Sequence, residues 1–473
     1  MPAPAMILSR PSSLRSADYQ TSPVPSYQSD TTVLAPSMFS LDPEKQEGRE
    51  LDTISTTYET FSVDRPAPAA IPPPEVGIKP WLAVLGGFCA QFCSFGMMSM
   101  IGIFIAYYRV HQLEHLSTSA ISWIGSIQSG VFAFSGLFCG RIVDMYGPHY
   151  VTIPGLFFIV IGMIGTAFST HYYQFIVAQG LSCAIGAAGL FYGTTSAITS
   201  WFTTRRGLAF GIAASGAGVG GIGIPFLLQY MFYDYGSFKA GACTLAGVFC
   251  FMGLVTVCVT TSRVRPTGRQ PYRFVRFYVR PFRDPIFALF TLAMALIYLG
   301  IFVPNAYFST TALHYGMTTA HASYLLSFFN AGSLVGRIVG GYLFDRFSKF
   351  LVYFCYVLMG GLTLLPGWYL ATDETRTIVV SVCYGFASGG MLALFSAVIA
   401  QISPVTEIGT RVGACNGALS ISALVSLPIS GAIVGMDANY HGMQAFAGST
   451  ILAGSAVCLV LKFMVDGKRI RAS

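Results

Sequence analysis

Residues 140–149 read GRIVDMYGPH and residues 341–350 read GYLFDRFSKF. Both stretches close a long apolar run and carry Gly-x-x-x-Asp, as Gly140 with Asp144 and Gly341 with Asp345, at the same offset of 201 residues. That offset is about half of the chain beyond residue 80, so the body of the protein reads as a duplication. Working outward from the pair, apolar runs fall near 81–108, 120–138, 151–168, 175–198, 207–228 and 240–259. A second set falls near 286–308, 322–344, 351–369, 378–399, 412–435 and 445–465. A helix rises about 1.5 Å per residue, so about 20 apolar residues cross a hydrocarbon layer of about 30 Å. The expectation is an all-α membrane protein of twelve transmembrane helices in two six-helix halves.

Composition agrees. Of 473 residues, 53% are hydrophobic and 10% charged, with a mean hydropathy of +0.61, whereas soluble domains are about 25% charged. A cytoplasmic enzyme or a nucleic-acid binder is excluded on that ground. Residues 1–80 hold 6 of the 27 basic and 10 of the 20 acidic groups. Runs such as TSPVPSYQSDTT and RPAPAAIPPPE lack the periodicity that could offset chain entropy, so 1–78 is expected to be a disordered cytoplasmic tail without a signal peptide. The halves are then 79–261 and 285–465, joined by a basic loop 262–284 and followed by a short tail 466–473. With both ends cytoplasmic, that side receives 17 basic residues, among them Arg141, Arg205, Arg206, Arg346, Arg411 and the loop's Arg263, Arg265, Arg269, Arg273, Arg276, Arg280 and Arg283. The other side receives Arg109, Lys239 and Arg376. Such a bias sets orientation, and the plasma membrane is the expected location. The eleven cysteines lie in or beside apolar runs without CxxC spacing, as packing residues do.

The paired motif and the long basic loop resemble the major facilitator superfamily, whose halves are related by an axis along the membrane normal. Gly140, Asp144 and Gly147 match its inner-loop motif, while Met145 and His149 stand where basic residues are usual; in the second copy Asp345, Arg346 and Lys349 fit and Ser348 replaces glycine. A glycine lets helices approach closely, and an aspartate at that face can meet a helix N-terminus or an arginine of the other half. The resemblance implies that Asp144 faces the start of the eleventh span near Arg411, and Asp345 the start of the fifth near Arg205 and Arg206, as gating latches. Within WFTTRRGLAFGIAASGAGVGG (201–221), Phe202, Arg205, Arg206, Leu208, Ala209, Gly211, Ala213 and Gly216 resemble the monocarboxylate porter family's second signature. Its first signature survives only as Glu75, Gly77 and Trp81. LGIFVPNAY, NAGSLVGRIVGGYL and SPVTEIGTRVG are similar to the fungal branch of that family.

Arg337 lies eight residues before Asp345, about 12 Å above the basic face on a regular helix. Burying it is costly unless it meets a cavity or a partner. Its planar fork suits a carboxylate of the solute, and the competing reading is snorkelling or bonding to backbone carbonyls. Gln91, Ser94, Asn305, Tyr307, Asn330 and Asn416 are the neutral residues expected to complete a solute site. By the same resemblance, the positions that handle protons in animal lactate carriers are Ser99 and Ser333 here. A proton would then travel on Asp144, Asp345 or Glu407, or enter on the solute. The expected function is a secondary transporter of a small organic acid or related metabolite, with export of a bulkier secondary metabolite and a non-transporting nutrient sensor as alternatives. No cofactor is expected, nor ATP, since no G-x-x-x-x-G-K-[S/T] loop occurs.

Overall fold

In hydrocarbon, an apolar run can satisfy its backbone polar groups only within a helix or a closed barrel, and this chain forms helices. A computed structural model describes residues 75, 77–263, 268, 278–404, 407–435 and 440–472. The other residues, including Arg265, Arg269, Arg273, Arg276 and nearly all of the expected tail, lie outside that description. In chain order the first half comprises α1 (Ile78–Val110), α2 (Ala120–Tyr146), α3 (His149–Phe168), α4 (Tyr172–Trp201), α5 (Arg206–Phe232) and α6 (Phe238–Val259). The second comprises α7 (Pro285–His314), α8 (Thr319–Arg346), α9 (Lys349–Trp368), α10 (Glu374–Gln401), α11 (Ile408–Val434) and α12 (Tyr440–Asp466). Among the described residues, all of these except α8 are both long and apolar enough to cross a membrane. At 28 residues α8 is long enough, and its polarity comes from residues such as Asn330, Ser333 and Arg337.

Helix starts follow from capping chemistry. Ser117, Ser237, Asp284 and Thr318 each accept a first-turn backbone amide that would otherwise be unsatisfied. Several helices begin or end beyond the apolar runs, as α2 does at Tyr146, because polar residues such as Arg141 and Asp144 continue the helix to the membrane face. Two irregularities matter later. The turn widens over Phe92–Gly96 in α1, and α7 breaks at Phe302, two residues before Pro304, whose missing N–H and ring bulk interrupt the ladder.

Packing sorts the helices by burial. In α3 the large side chains Ile153, Phe157, Ile161, Ile164 and Phe168 are exposed at spacings of four and three, forming an apolar stripe suited to lipid. α4 and α10 are buried along most of their length. The halves meet chiefly through two antiparallel pairs, α2 with α11 and α5 with α8.

Candidate functional site

The α5–α8 seam is built by sequence spacing. Gly207, Gly211, Ala214, Gly218 and Gly221 recur every four and three residues, so they form one narrow face of α5. α8 lays Asn330, Leu334, Arg337 and Gly341 against it. A Cβ on Gly207 would stand 2.6 Å from the Gly341 carbonyl oxygen, and one on Gly218 would stand 3.1 Å from the Leu334 side chain. On the α2–α11 seam, Gly140 meets the Gly409 carbonyl, Gly136 and Gly413 cross, and Gly130 packs on Leu424. Only glycine permits such backbone approach without a shift.

Each seam ends at a carboxylate. Asp345 accepts the backbone amides of Gly207 at 2.7 Å and Leu208 at 2.8 Å. Asp144 accepts those of Gly409 at 3.2 Å and Thr410 at 2.7 Å, and the Thr410 hydroxyl at 2.6 Å. The amides are orphan donors at the positive dipole ends of α5 and α11, so each aspartate caps a helix N-terminus, with the Thr410 hydroxyl added at Asp144. The nearby arginines bond elsewhere: Arg206 donates to the carbonyls of Phe202 and Ala400 at 3.0 and 3.1 Å. Arg411 donates to the Ile402 carbonyl at 3.2 Å and lies 3.8 Å from Glu407, while Arg205 is exposed.

The turn that presents the Gly207 and Leu208 amides is itself tied down. Glu75 accepts the Thr203 amide at 2.6 Å and its hydroxyl at 3.1 Å, and also takes the amide and hydroxyl of Thr204. Burial pushes the Glu75 carboxyl up, but these donors outweigh it and hold the group below its ordinary value. The Trp201 indole donates to the Thr261 carbonyl at 2.7 Å. Beside it the Arg263 amide donates to Ser200 at 3.1 Å, so the start of the basic loop is anchored at the same turn.

Between the halves lies a small cavity bounded by Phe95, Met98, Ser129, Phe132, Ala133, Tyr298, Phe302, Asn416 and Ala423. The widened turn of α1 supplies Phe95, and the broken segment of α7 supplies Phe302. No charged side chain borders it. Asn416 spends its amide on the Val412 carbonyl at 3.1 Å, which leaves its Oδ1 as an acceptor. Ser129 and Tyr298 are the other polar residues among those that line the cavity.

Of the seven residues expected to bind solute, Asn416 alone borders this cavity. Arg337 is buried in the α5–α8 seam, where it donates to the Ala214 carbonyl at 2.7 Å. Asn330 donates to the Gly221 carbonyl at 3.1 Å and to Leu326 of its own helix. Ser94 donates to the Ala187 carbonyl at 2.9 Å, joining α1 to α4. Gln91, Asn305 and Tyr307 are half-buried, and Tyr307 lies against Gly431 of α11. Sequence reasoning missed Ser129 and Ala423, yet the duplication holds a signal for them. Adding the offset of 201 to Ser129 gives Asn330; between α5 and α11, where Gly207 and Gly409 hold equivalent places 202 residues apart, Gly221 corresponds to Ala423.

Two six-helix halves that meet along glycine seams, border a cavity between them and are joined at one face by carboxylate-to-amide contacts define a multi-pass membrane carrier. The family model of the Major Facilitator Superfamily matches residues 87–304 and 290–472, and the chain belongs to that superfamily. It is 34% identical to the MFS transporter asaE of Aspergillus flavus over 431 residues, covering 91% of this chain and 96% of the relative. It is 33% identical to the fujikurins efflux protein of Gibberella fujikuroi, covering 84% and 85%. It is 30% identical to the aspyridones efflux protein apdF of Emericella nidulans, covering 86% and 82%. Among solved structures, the E. coli fucose:proton symporter shares the fold, with a TM-score of 0.56 and 17% identity over 79% of this chain and 98% of that one. The protein is therefore an integral membrane transporter, not an enzyme.

Proposed function

We propose that the protein exports an uncharged, largely apolar secondary metabolite bearing hydrogen-bonding groups, by alternating access between its halves. The observation that carries this reading is the cavity wall, which is aromatic and aliphatic, polar only at Ser129, Tyr298 and Asn416, and without charge. Such a wall favours flat apolar surface with a few directed polar contacts. A free carboxylate there would lose its hydration without a cationic partner. Relatives at 33% and 30% identity are named as efflux proteins for fujikurins and aspyridones, which supports export. A small organic acid has less support, because Arg337 is taken by the Ala214 carbonyl and lies off the cavity lining.

The moving bodies of this reading are 79–261 and 285–465, with 262–284 joining them. The gate comprises Asp144, Asp345, Arg205, Arg206 and Arg411, the latched face and both termini are cytoplasmic, and the membrane is the plasma membrane. Descent from the monocarboxylate porter branch rests on the Phe202 to Gly216 signature. The serines at positions 99 and 333 set the chain apart from proton–lactate carriers. A proton is the candidate co-substrate, to be tested by flux with and without a pH gradient.

Metabolite profiles inside and outside cells with and without the gene test the proposal. An apolar metabolite retained inside the cells that lack it is expected. Unchanged profiles, or retention of a small carboxylate instead, would overturn it.

A further inference from the structure

The two seams carry equivalent latches but unlike centres. Asn330 and Arg337 are seven residues apart on α8, and each donates to a carbonyl of α5, at Gly221 and Ala214, also seven apart. At the equivalent places of the other seam stand Ser129 and Gly136 on α2, opposite Ala423 and Asn416 on α11, and there the cavity opens. Asn330 is well served, since its amide has two acceptors. Arg337 is not. Its guanidinium has five N–H donors, yet among the described residues its one hydrogen bond goes from Nη1 to the Ala214 carbonyl, Nε is buried without a partner there, and the residue is 6% exposed.

We infer that Arg337 is a spring wound by closure of the latched face, a positioning residue that favours reopening and does not contact the solute. The reason is a difference in hydration between the two states. With the face shut, a charged group is held in the seam with a single neutral acceptor, and burial of an under-paired charge is costly. When α8 parts from α5, the bond to Ala214 breaks and water reaches the guanidinium from the opened side. The charge therefore gains more from opening than the single bond loses. Asp144 and Asp345 act in the opposite sense, because closure supplies each with two or three donors. The inference rests on the alternating-access reading and is independent of the solute's class.

Spin labels at the exposed positions Tyr150 and Phe347, one in each half, would report the separation of that face in lipid nanodiscs. Replacing Arg337 with Met keeps the stem and removes the charge. The expected result for Arg337→Met is a rise in the ratio of shut to open molecules of about 10-fold, the scale of one unsatisfied buried polar group. Arg337→Gln should move it the same way, and Arg337→Lys should stay near the native ratio. Each variant would also be measured in an Asp345→Asn background, where both populations are large enough to quantify. Two native populations with no change in the neutral variants, or a shift toward open, would overturn the spring alone. A single distance common to every protein would overturn alternating access and the spring with it.

Discussion

The two aspartates offer a quantitative test, because conversion to asparagine treats them unequally. Asp345 accepts one amide on each oxygen, at 2.7 and 2.8 Å, so the carboxamide must lose one of two good bonds whichever way it turns. Asp144 takes both Thr410 donors on Oδ2 and the weaker 3.2 Å Gly409 amide on Oδ1. Of these three bonds, asparagine there can turn its oxygen to Thr410 and give up only the weak one. Both changes forfeit the charge at a helix N-terminus, worth about 1 kcal/mol. A good hydrogen bond adds about 1 kcal/mol, so Asp345→Asn should cost the shut state about 2 kcal/mol, or about 30-fold, and Asp144→Asn about half of that energy. The spin-label pair at Tyr150 and Phe347 measures both ratios directly. If Asp144→Asn opened the face as much as Asp345→Asn, the bond-by-bond reasoning would fail. If neither opened it, the aspartates would not be latches.

Three further outcomes follow from the same geometry. Since Asp345 binds backbone amides, reversing Arg205 or Arg206 to Asp should not restore transport lost in Asp345→Arg; rescue in a flux assay would show a side-chain ion pair that matters. Glu75→Gln should lower the melting temperature at pH 7. Because the folded carboxyl sits below its ordinary value, its stabilisation is complete above the free value near about 4.3 and fades as pH falls through the folded one, so wild type and variant should converge in strongly acidic thermal scans. At the cavity, Asn416→Leu and Ser129→Ala each remove one polar contact worth about 1 kcal/mol, and each should raise KM for the exported metabolite about fivefold. An unchanged KM in both would move the solute elsewhere.

What could be read from residues alone divides along a physical line. Helices announce themselves because a bilayer demands long apolar runs, and the Gly-x-x-x-Asp pair announces the duplication because glycine and aspartate have few substitutes at a crossing with a helix N-terminus. The side-chain partners were less legible. For Asp144 and Asp345 both a helix N-terminus and an arginine are open, because arginines stand beside their targets; the main-chain amides they meet are carried by every residue, and no residue type signals them. For Arg337 a solute carboxylate and a backbone carbonyl are both open, and the residues cannot choose between them, since the Ala214 carbonyl is invisible in a list of side chains. The cavity depends on a widened turn at Phe92–Gly96 and a break at Phe302; Pro304 hints at the second, and nothing in FCSFG marks the first.

The unequal seams also bear on how a solute could drive the cycle. A ligand changes a conformational equilibrium only through contacts that differ between its states. A solute lodged among Ser129, Ala133, Asn416 and Ala423 touches α2 and α11 together, so its contacts with both are complete only while that seam is shut. On this reading, loading adds to the Asp144 latch at one seam while Arg337 strains against the Asp345 latch at the other. Loss of the solute removes the added contacts and leaves the strain, so an emptied carrier should reopen its latched face more readily than a loaded one. The order has a direct consequence for mutants: Arg337→Met should slow the return of the empty carrier more than the export step, lowering kcat and KM together while kcat/KM stays near the native value.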